Sequence, residues 1–364
     1  MQPLKILYTE AATNYGGQER YIHRLMRMMR LKGHQAEALC QPDSLLRQHL
    51  ESDGFTVHQA VMDSGADFWR NIWRLRNLMK AQAYDVVNTH SRRDTVHAGA
   101  AARLAGVPLV VRTRHLAKPI GSLLSYRWIP HRVIAVSEFV RNQVVQRGMN
   151  PDYVDIVFPA VELPDPLPEQ VLRKELGVDE HAILVGSIAV LRKEKGMQEL
   201  IQAMAPILRA QPSVHLVIIG GGALQAQLEN FATQLEVLNQ VHFLGARNDV
   251  PQLIGDLTIF ASATYLEASG TAFAEAAAAK LPVIGTQVGG VPEMMAAGKS
   301  GMLVPLHDIV ALRNALQRLI DDPQLCKSMG QAGYDYAVTE GRFSLSTMQQ
   351  RTEHSYYRWL EQLR

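Results

Sequence analysis

FPAVELPDPLPEQ, residues 158–170, places four prolines within the ten positions 159–168. Proline has no amide hydrogen to give to a helix or a sheet ladder, and its ring fixes φ, so the stretch interrupts any regular element. On both sides of it, one pattern runs. Before it, KILYTEA (5–11), QAEALC (35–40), DVVNTH (85–90), PLVVRTRH (108–115), RVIAVS (132–137) and VDIVFPAV (154–161) read as strands, with helical segments near 18–32, 67–82, 94–105 and 138–147. After it come AILVGSIAV (182–190), VHLVIIGGG (214–222), VHFLGA (241–246), LTIFAS (257–262), LPVIGTQ (281–287) and GMLVP (301–305), again with helices between. Short apolar runs alternating with helices predict parallel sheets covered on both faces. At 364 residues the chain exceeds a usual single core. The expected architecture is therefore α/β with two doubly wound domains, 1–162 and 163–344, and a terminal helix, 345–364, packing back on the first. Ligands of such sheets bind beyond the carboxyl ends of the strands, which predicts a cleft between facing domains.

Composition narrows the class. The N-terminus MQPLKILYTEAATNYGG lacks the apolar run of roughly 7–15 residues that a secretory signal needs. No apolar run approaches the roughly 18–20 residues of a membrane span. Cys40 and Cys326 fit no metal spacing and no disulfide framework, so a cytoplasmic location is expected. Residues 1–160 carry 21 Lys and Arg against 13 Asp and Glu, whereas the rest carries 16 against 22. A basic front half suits an anionic partner, such as a membrane surface or a phosphorylated acceptor, as well as a plain solvated surface. Nucleic acid is not expected as a partner.

Four constellations suit ligand chemistry. In TNYGGQER, Gly16 and Gly17 join a strand to a helix start, a turn that needs glycine or a place where backbone amides receive an anion. In SIAVLRKEKGMQEL, Arg192 and Lys195 follow a strand end and suit a diphosphate, while Lys193 and Glu194 read as solvated. VIIGGGALQAQLE lacks the third glycine of a dinucleotide fingerprint, because Gln225 stands there. Its Gly221 and neighbours read instead as a turn that lets a nucleotide approach the backbone. In LEASGTAFAEAAAAK, Ser269, Gly270 and Thr271 open a helix whose amides suit an anion. Glu275 lies a turn inside that helix and Glu267 lies on the loop before it. Carboxylates accept hydrogen bonds from hydroxyls, which fits a sugar or ribose. A helix apolar on its other sides is normally buried, so Glu275 reads as a ligand-facing group.

At these residues the chain resembles the retaining family-4 glycosyltransferases of GT-B fold. The E-x7-E pair Glu267–Glu275, KLPVIGTQVGGVPE with Gly289–Gly290, GGQE near the N-terminus, SEFVRNQVVQRG and the KG at 195–196 carry the resemblance. It implies two Rossmann-like domains, a nucleotide-diphosphate sugar held chiefly by the second, and an acceptor held chiefly by the first. By the same resemblance Glu275 would hold ribose hydroxyls, Glu267 the transferred sugar, and Lys195 the diphosphate. Gly17 with the amides of Gly270 and Thr271 would crowd the phosphates, and His115 would sit over the donor sugar. His90, His97 and His131 read as structural. Val190 stands where many relatives have arginine, and Arg192 substitutes in this reading.

No Asp-x-Asp pair suits a metal against a diphosphate, so no cofactor and no metal are expected, and the protein's own cations carry the leaving charge. The resemblance implies front-face, retaining transfer without a carboxylate nucleophile, although carboxylate nucleophiles do serve many glycosidases. Arg92 and Arg93, after DVVNTH, are the expected acceptor contacts. DFWRNIWRLRNLMKAQ mixes Trp69, Ile72 and Trp73 with Arg70, Arg74, Arg76 and Lys80. It reads either as the core face of an ordinary helix or as an interfacial helix on an anionic membrane. The acceptor expectation is a glycan or a lipid-linked or lipopolysaccharide-type hydroxyl. A nucleotide-sugar epimerase and a noncatalytic sugar-nucleotide-binding relative are the alternatives.

Overall fold

The proline stretch separates two parallel sheets in the computed structural model, which describes residues 2–63, 67–121 and 123–364. The first sheet contains β1 (Lys5–Glu10), β2 (Gln35–Cys40), β3 (Val57–Gln59), β4 (Val86–Thr89), β5 (Leu109–Arg114), β6 (Arg132–Ala135) and β7 (Val154–Ile156). Its order is β3-β2-β1-β4-β5-β6-β7. The second contains β8 (Ile183–Ile188), β9 (Val214–Ile219), β10 (Val241–Phe243), β11 (Ile259–Ser262), β12 (Val283–Thr286) and β13 (Gly301–Val304), in the order β10-β9-β8-β11-β12-β13. Each sheet is doubly wound. β1 pairs with β2 on one side and β4 on the other, and β8 likewise pairs with β9 and β11. The chain leaves these central strands in opposite directions, so a crevice opens at their carboxyl ends.

The chain divides into two compact units, Met1–Ala160 with Leu345–Arg364, and Val161–Ser344. In the first, Leu7, Leu39, Val87 and Val110 point from the sheet into one core with Ile72, Leu75 and Met79 of the helix Phe68–Gln82. The opposite face takes the helix Gly17–Leu31, whose buried Tyr21, Ile22, Leu25, Met26 and Met29 recur at helical spacing. The terminal helix Leu345–Leu363 packs on that helix and buries Met348, Tyr356 and Trp359. Burial of each such side chain contributes about 2–3 kcal/mol. Polar ties add to this: Asn88 Nδ2 donates to Tyr356 Oη at 2.7 Å, and both Asp155 oxygens accept from Arg358 at 2.6–2.7 Å.

Two strand readings are corrected. VHQ, residues 57–59, forms an edge strand that its composition did not signal. VDIVFPAV pairs only over Val154–Ile156, and Pro159 beyond it has no amide hydrogen for a ladder.

Candidate functional site

In the first unit, β1 ends in a carboxylate, Glu10, which is only 1% exposed. Its Oε1 accepts from the amides of Ala11 and Ala12 at 2.8 Å each, and its Oε2 from the Gln18 side chain. Burial, and then the charge of Asp94, raise the Glu10 carboxyl well above the ordinary range. The Gly16 amide, read from the sequence as an anion receptor, donates instead to Glu19 Oε2 at 2.7 Å. A capping carboxylate thus occupies the N-cap amide. Gly17 differs, because a Cβ there would meet nothing within 4 Å.

β4 leads to a second buried carboxylate. Asp94 accepts from Thr9 Oγ1, the His90 and Ser91 amides and Ser91 Oγ, all at 2.7 Å, and from the Thr95 amide at 2.9 Å. This network fixes the loop that carries Arg92 and Arg93. Arg92 is exposed, and Arg93, also exposed, pairs at the surface with Asp63 at 2.8 Å. His115, just past β5, is half-buried, and its Nε2 lies 3.0 Å from His90 Nδ1 with the rings stacked. Tyr21 meets the same ring edge-on at 4.8 Å. His90, read as structural from the sequence, is therefore the direct neighbour of the histidine singled out for function. His131 is structural as expected, its Nδ1 accepting from the Val110 amide at 2.9 Å. His97 packs edge-on against Phe68 at 4.8 Å between ring centroids.

Burial keeps these rings neutral, lowering the pKa of His115 to about 3 and that of His131 to about 4. For His90, burial first and the neighbouring His115 second lower it well below the ordinary value. The unfolded chain protonates such rings near pH 6.5 and so binds more protons than the native state below that pH. Their contribution is fully present above about pH 6.5 and is lost as pH falls toward the folded values, by at most about 1.4 kcal/mol per pH unit for each ring. Glu10 has the opposite sign: its raised pKa adds stability that is present at low pH and is lost as pH rises above the usual carboxyl value. Glu10→Gln removes this contribution, so between about pH 7.5 and 4.5 the urea midpoint of the variant is expected to fall relative to that of the parent as pH is lowered. A difference between variant and parent that does not change with pH would contradict neutral burial of Glu10.

In the second unit, the loops after β8, β9, β11 and β12 converge. After β8, Lys195 closes a short 3-10 turn, Lys193–Lys195, and Gly196 follows with φ +62°. A Cβ on Gly196 would collide with the Ala263 carbonyl oxygen of the loop after β11. The Tyr265 amide donates to the Glu194 carbonyl at 2.7 Å and binds the same two loops. Lys195 Nζ then lies 2.5 Å from Glu267 Oε2, so two groups given separate jobs by the sequence form one ion pair. Gly289, at φ +55°, packs on the Glu267 carbonyl, and the Gly290 amide donates to that carbonyl at 3.0 Å.

Ser269 and Gly270 are buried and precede the helix Thr271–Ala278. Phe273, Ala274, Ala276 and Ala277 are buried. Thr271, Glu275 and Ala278 are half-buried and share one face at helical spacing. The helix is thus covered on most sides and part-open along the strip that carries Glu275. Arg192 is exposed and, among the described residues, forms no ion pair. Gly221 and its neighbours lie in the loop after β9. Gly220 and Gly222 lie against the backbone of Ala189 and Leu191, which leaves no room for a Cβ, whereas a Cβ on Gly221 would make only ordinary contact with Ala246.

Glu10, Asp94 and Glu19 went unread in the sequence. Ser91-x-x-Asp94 and Gly16-x-x-Glu19 have capping spacing, which is the available signal for two of them. Glu10 carries none.

Residues 168–336 match the family model described as Glycosyl transferases group 1, and residues 15–164 match Glycosyltransferase Family 4. The D-inositol 3-phosphate glycosyltransferase of Corynebacterium aurimucosum is 28% identical over 304 residues, 79% of this chain and 68% of that protein. In three such Corynebacterium proteins the matched part spans 48–68% of their length. The UDP-Gal:alpha-D-GlcNAc-diphosphoundecaprenol alpha-1,3-galactosyltransferase of Escherichia coli is 27% identical over 276 residues, 70% of this chain and 71% of that protein. Among solved structures, Anabaena HepE in complex with UDP and glucose superposes with a TM-score of 0.84 at 22% identity, covering 97% of this chain and 99% of that one. A glycosyltransferase from Rickettsia africae superposes with a TM-score of 0.87 at 19% identity, covering 99% of both chains. With both doubly wound units matched in sequence and the architecture matched nearly end to end, the chain belongs to the family-4, group 1 glycosyltransferases of GT-B fold.

Proposed function

We propose that this protein moves a sugar from a nucleotide-diphosphate sugar, UDP- or GDP-linked, to a hydroxyl of a glycan or lipid-linked acceptor. The transfer retains the anomeric configuration, uses no bound metal, and serves synthesis of a cell-surface polysaccharide or lipopolysaccharide. The observation that carries this reading is the Lys195–Glu267 pair at the carboxyl edge of the second sheet, beside the start of the helix Thr271–Ala278. A departing nucleoside diphosphate gains negative charge as the glycosidic bond breaks. A lysine and a helix N-terminus aimed at that charge stabilise it without reorganisation. Glu267 and Glu275 accept from hydroxyls of the sugar and the ribose, and Gly270 and Thr271 supply amides. The relatives favour a uridine donor, since the E. coli enzyme is named for UDP-Gal and HepE was solved with UDP.

The test is incubation with UDP- and GDP-sugars without acceptor, followed by chromatography. Slow release of free nucleoside diphosphate, undiminished by EDTA, is the expected result. An isomerised sugar nucleotide would indicate an epimerase, and a strict Mg²⁺ or Mn²⁺ requirement would overturn the metal-free mechanism. The anomeric configuration of the transferred product, read by NMR, tests retention.

A lipid-linked acceptor is supported by the helix Phe68–Gln82. Ile72, Leu75 and Met79 face the core, yet Trp69 and Trp73 are 66% and 52% exposed, and the helix carries four cations and no acidic residue. Exposed tryptophans among cations suit a peripheral contact with an anionic bilayer. No helix among the described residues is long and apolar enough to cross a membrane. Co-sedimentation with phosphatidylglycerol vesicles at low salt is expected, and it should drop severalfold in Trp69→Ala/Trp73→Ala. Equal sedimentation of variant and parent would remove this part of the reading.

A further inference from the structure

The contact between His90 and His115 leaves one hydrogen to be shared by two neutral rings. His90 is 2% exposed, and its Nδ1 lies 3.0 Å from His115 Nε2. Its other nitrogen, Nε2, is sealed from solvent with no partner. His115 is arranged differently. Among the described residues its Nδ1 makes no hydrogen bond, and it is not among the sealed polar atoms, so it faces solvent beyond β5.

Two hydrogen placements satisfy the 3.0 Å contact. If His115 Nε2 donates to His90 Nδ1, neutral His90 must carry its hydrogen on Nε2, leaving a buried N–H without an acceptor. If His90 Nδ1 donates to His115 Nε2, the sealed His90 Nε2 is only an unused lone pair. A buried N–H without a partner is the rarer and costlier defect. The second placement also dictates the state of His115: with Nε2 accepting, a neutral ring must carry its hydrogen on Nδ1.

We propose that His90 is a positioning residue that locks His115 as the Nδ1–H tautomer, so that His115 presents a neutral hydrogen-bond donor to an oxygen of the bound sugar. The consequence for transfer rests on the proposed glycosyl transfer and on the place over the donor sugar that the family resemblance implies for His115, whereas the tautomer does not. In this state His115 cannot take the proton of an acceptor hydroxyl, because its one open nitrogen already holds a hydrogen. It can donate to a sugar hydroxyl or a phosphate oxygen. Tyr21, edge-on to His115, and Tyr8 and Tyr21, both near 6 Å from His90 between ring centroids, wall the pair without bringing a carboxylate to either ring.

The test is multiple-bond nitrogen–hydrogen NMR of protein labelled with ¹⁵N-histidine. His115 signals are assigned by their loss in His115→Gln. In the parent at pH 7, His115 is expected to show a protonated Nδ1 and an unprotonated Nε2. His90→Phe keeps a ring in the same space but removes the donor, and His115 is expected to shift toward the Nε2–H form. His90→Asn places an amide N–H near the position of Nδ1 and is expected to restore the Nδ1–H form. Transfer should follow, with kcat/KM down about tenfold or more in the phenylalanine variant and largely recovered in the asparagine variant. A parent His115 protonated on Nε2, or a tautomer unchanged in His90→Phe, overturns the proposal. If no nucleotide-sugar is a donor, the reading of function fails while the NMR result still decides the tautomer.

Discussion

Replacing Lys195 with alanine is expected to lower kcat/KM for sugar transfer by about 10²–10³-fold, the usual cost of losing one charged or oxyanion-directed donor. Two effects combine. The substitution removes the cation proposed to stabilise the departing diphosphate, and it releases Glu267 from its 2.5 Å partner. Both side chains are only part-exposed, at 27% and 19%, so the freed carboxylate cannot be fully rehydrated where it stands. An unpaired carboxylate near an incoming diphosphate repels it, so donor affinity should fall along with the chemical step. Glu267→Gln keeps the shape and removes the charge; its loss should be smaller, and concentrated in kcat if the carboxylate grips the sugar mainly at the transition state. The double variant should lose less than the product of the two single losses, because contacting charges act as a unit. Single-turnover transfer by Lys195→Ala within threefold of the parent would remove Lys195 from the reaction.

Asp94→Ala is expected to cost about 3–5 kcal/mol of stability in denaturant titrations, because several buried donors lose their acceptor at about 1–3 kcal/mol each before relaxation. Five donors converge on this carboxylate, two from side chains and three from backbone amides. Alanine takes this acceptor from Thr9 Oγ1, Ser91 Oγ and the His90 and Ser91 amides, whereas the Thr95 amide keeps the Ser91 carbonyl at 3.3 Å, and Asp94 itself is fully buried. Asp94→Asn keeps one acceptor oxygen but turns an NH₂ toward donors, and should fall between alanine and the parent. The loop it anchors carries Arg92 and leads from His90, so activity should drop in the asparagine variant even at temperatures where it stays folded. Loss of less than 1 kcal/mol in alanine would mean that the network is not stabilising.

The strands and their order of alternation were legible because buried parallel strands are nearly continuous apolar runs, as ILVGSI (183–188) and VHLVII (214–219), each with one polar residue, illustrate. VHQ at 57–59 was not, since a three-residue edge strand with one apolar residue carries no period. In the site, E-x7-E and the lysine–glycine turn stood out because their spacing is local. Asp94 did not: its donors include Thr9, 85 positions away, and the sheet alone brings them together. Gly16 and the glycines at 220 and 222 were ambiguous for a related reason. A glycine needed so that one loop can press on another has the same letter as a glycine left open for a ligand. Here Gly16 is closed by Glu19, and Gly220 by the Ala189 backbone.

The seams at Gly196, Gly220 and Gly289 have a practical bearing on redesign. They register the loops of the second unit main chain against main chain, so the spacing of Lys195 and Glu267 does not depend on which side chains those loops carry. A randomised library that spares these three glycines, and varies exposed positions such as Val190 and Arg192, would alter what an incoming donor touches while the frame holds still. Most members of such a library should remain folded, and altered preference among donors should appear without loss of yield. A library that samples the glycines would instead consist largely of unstable proteins.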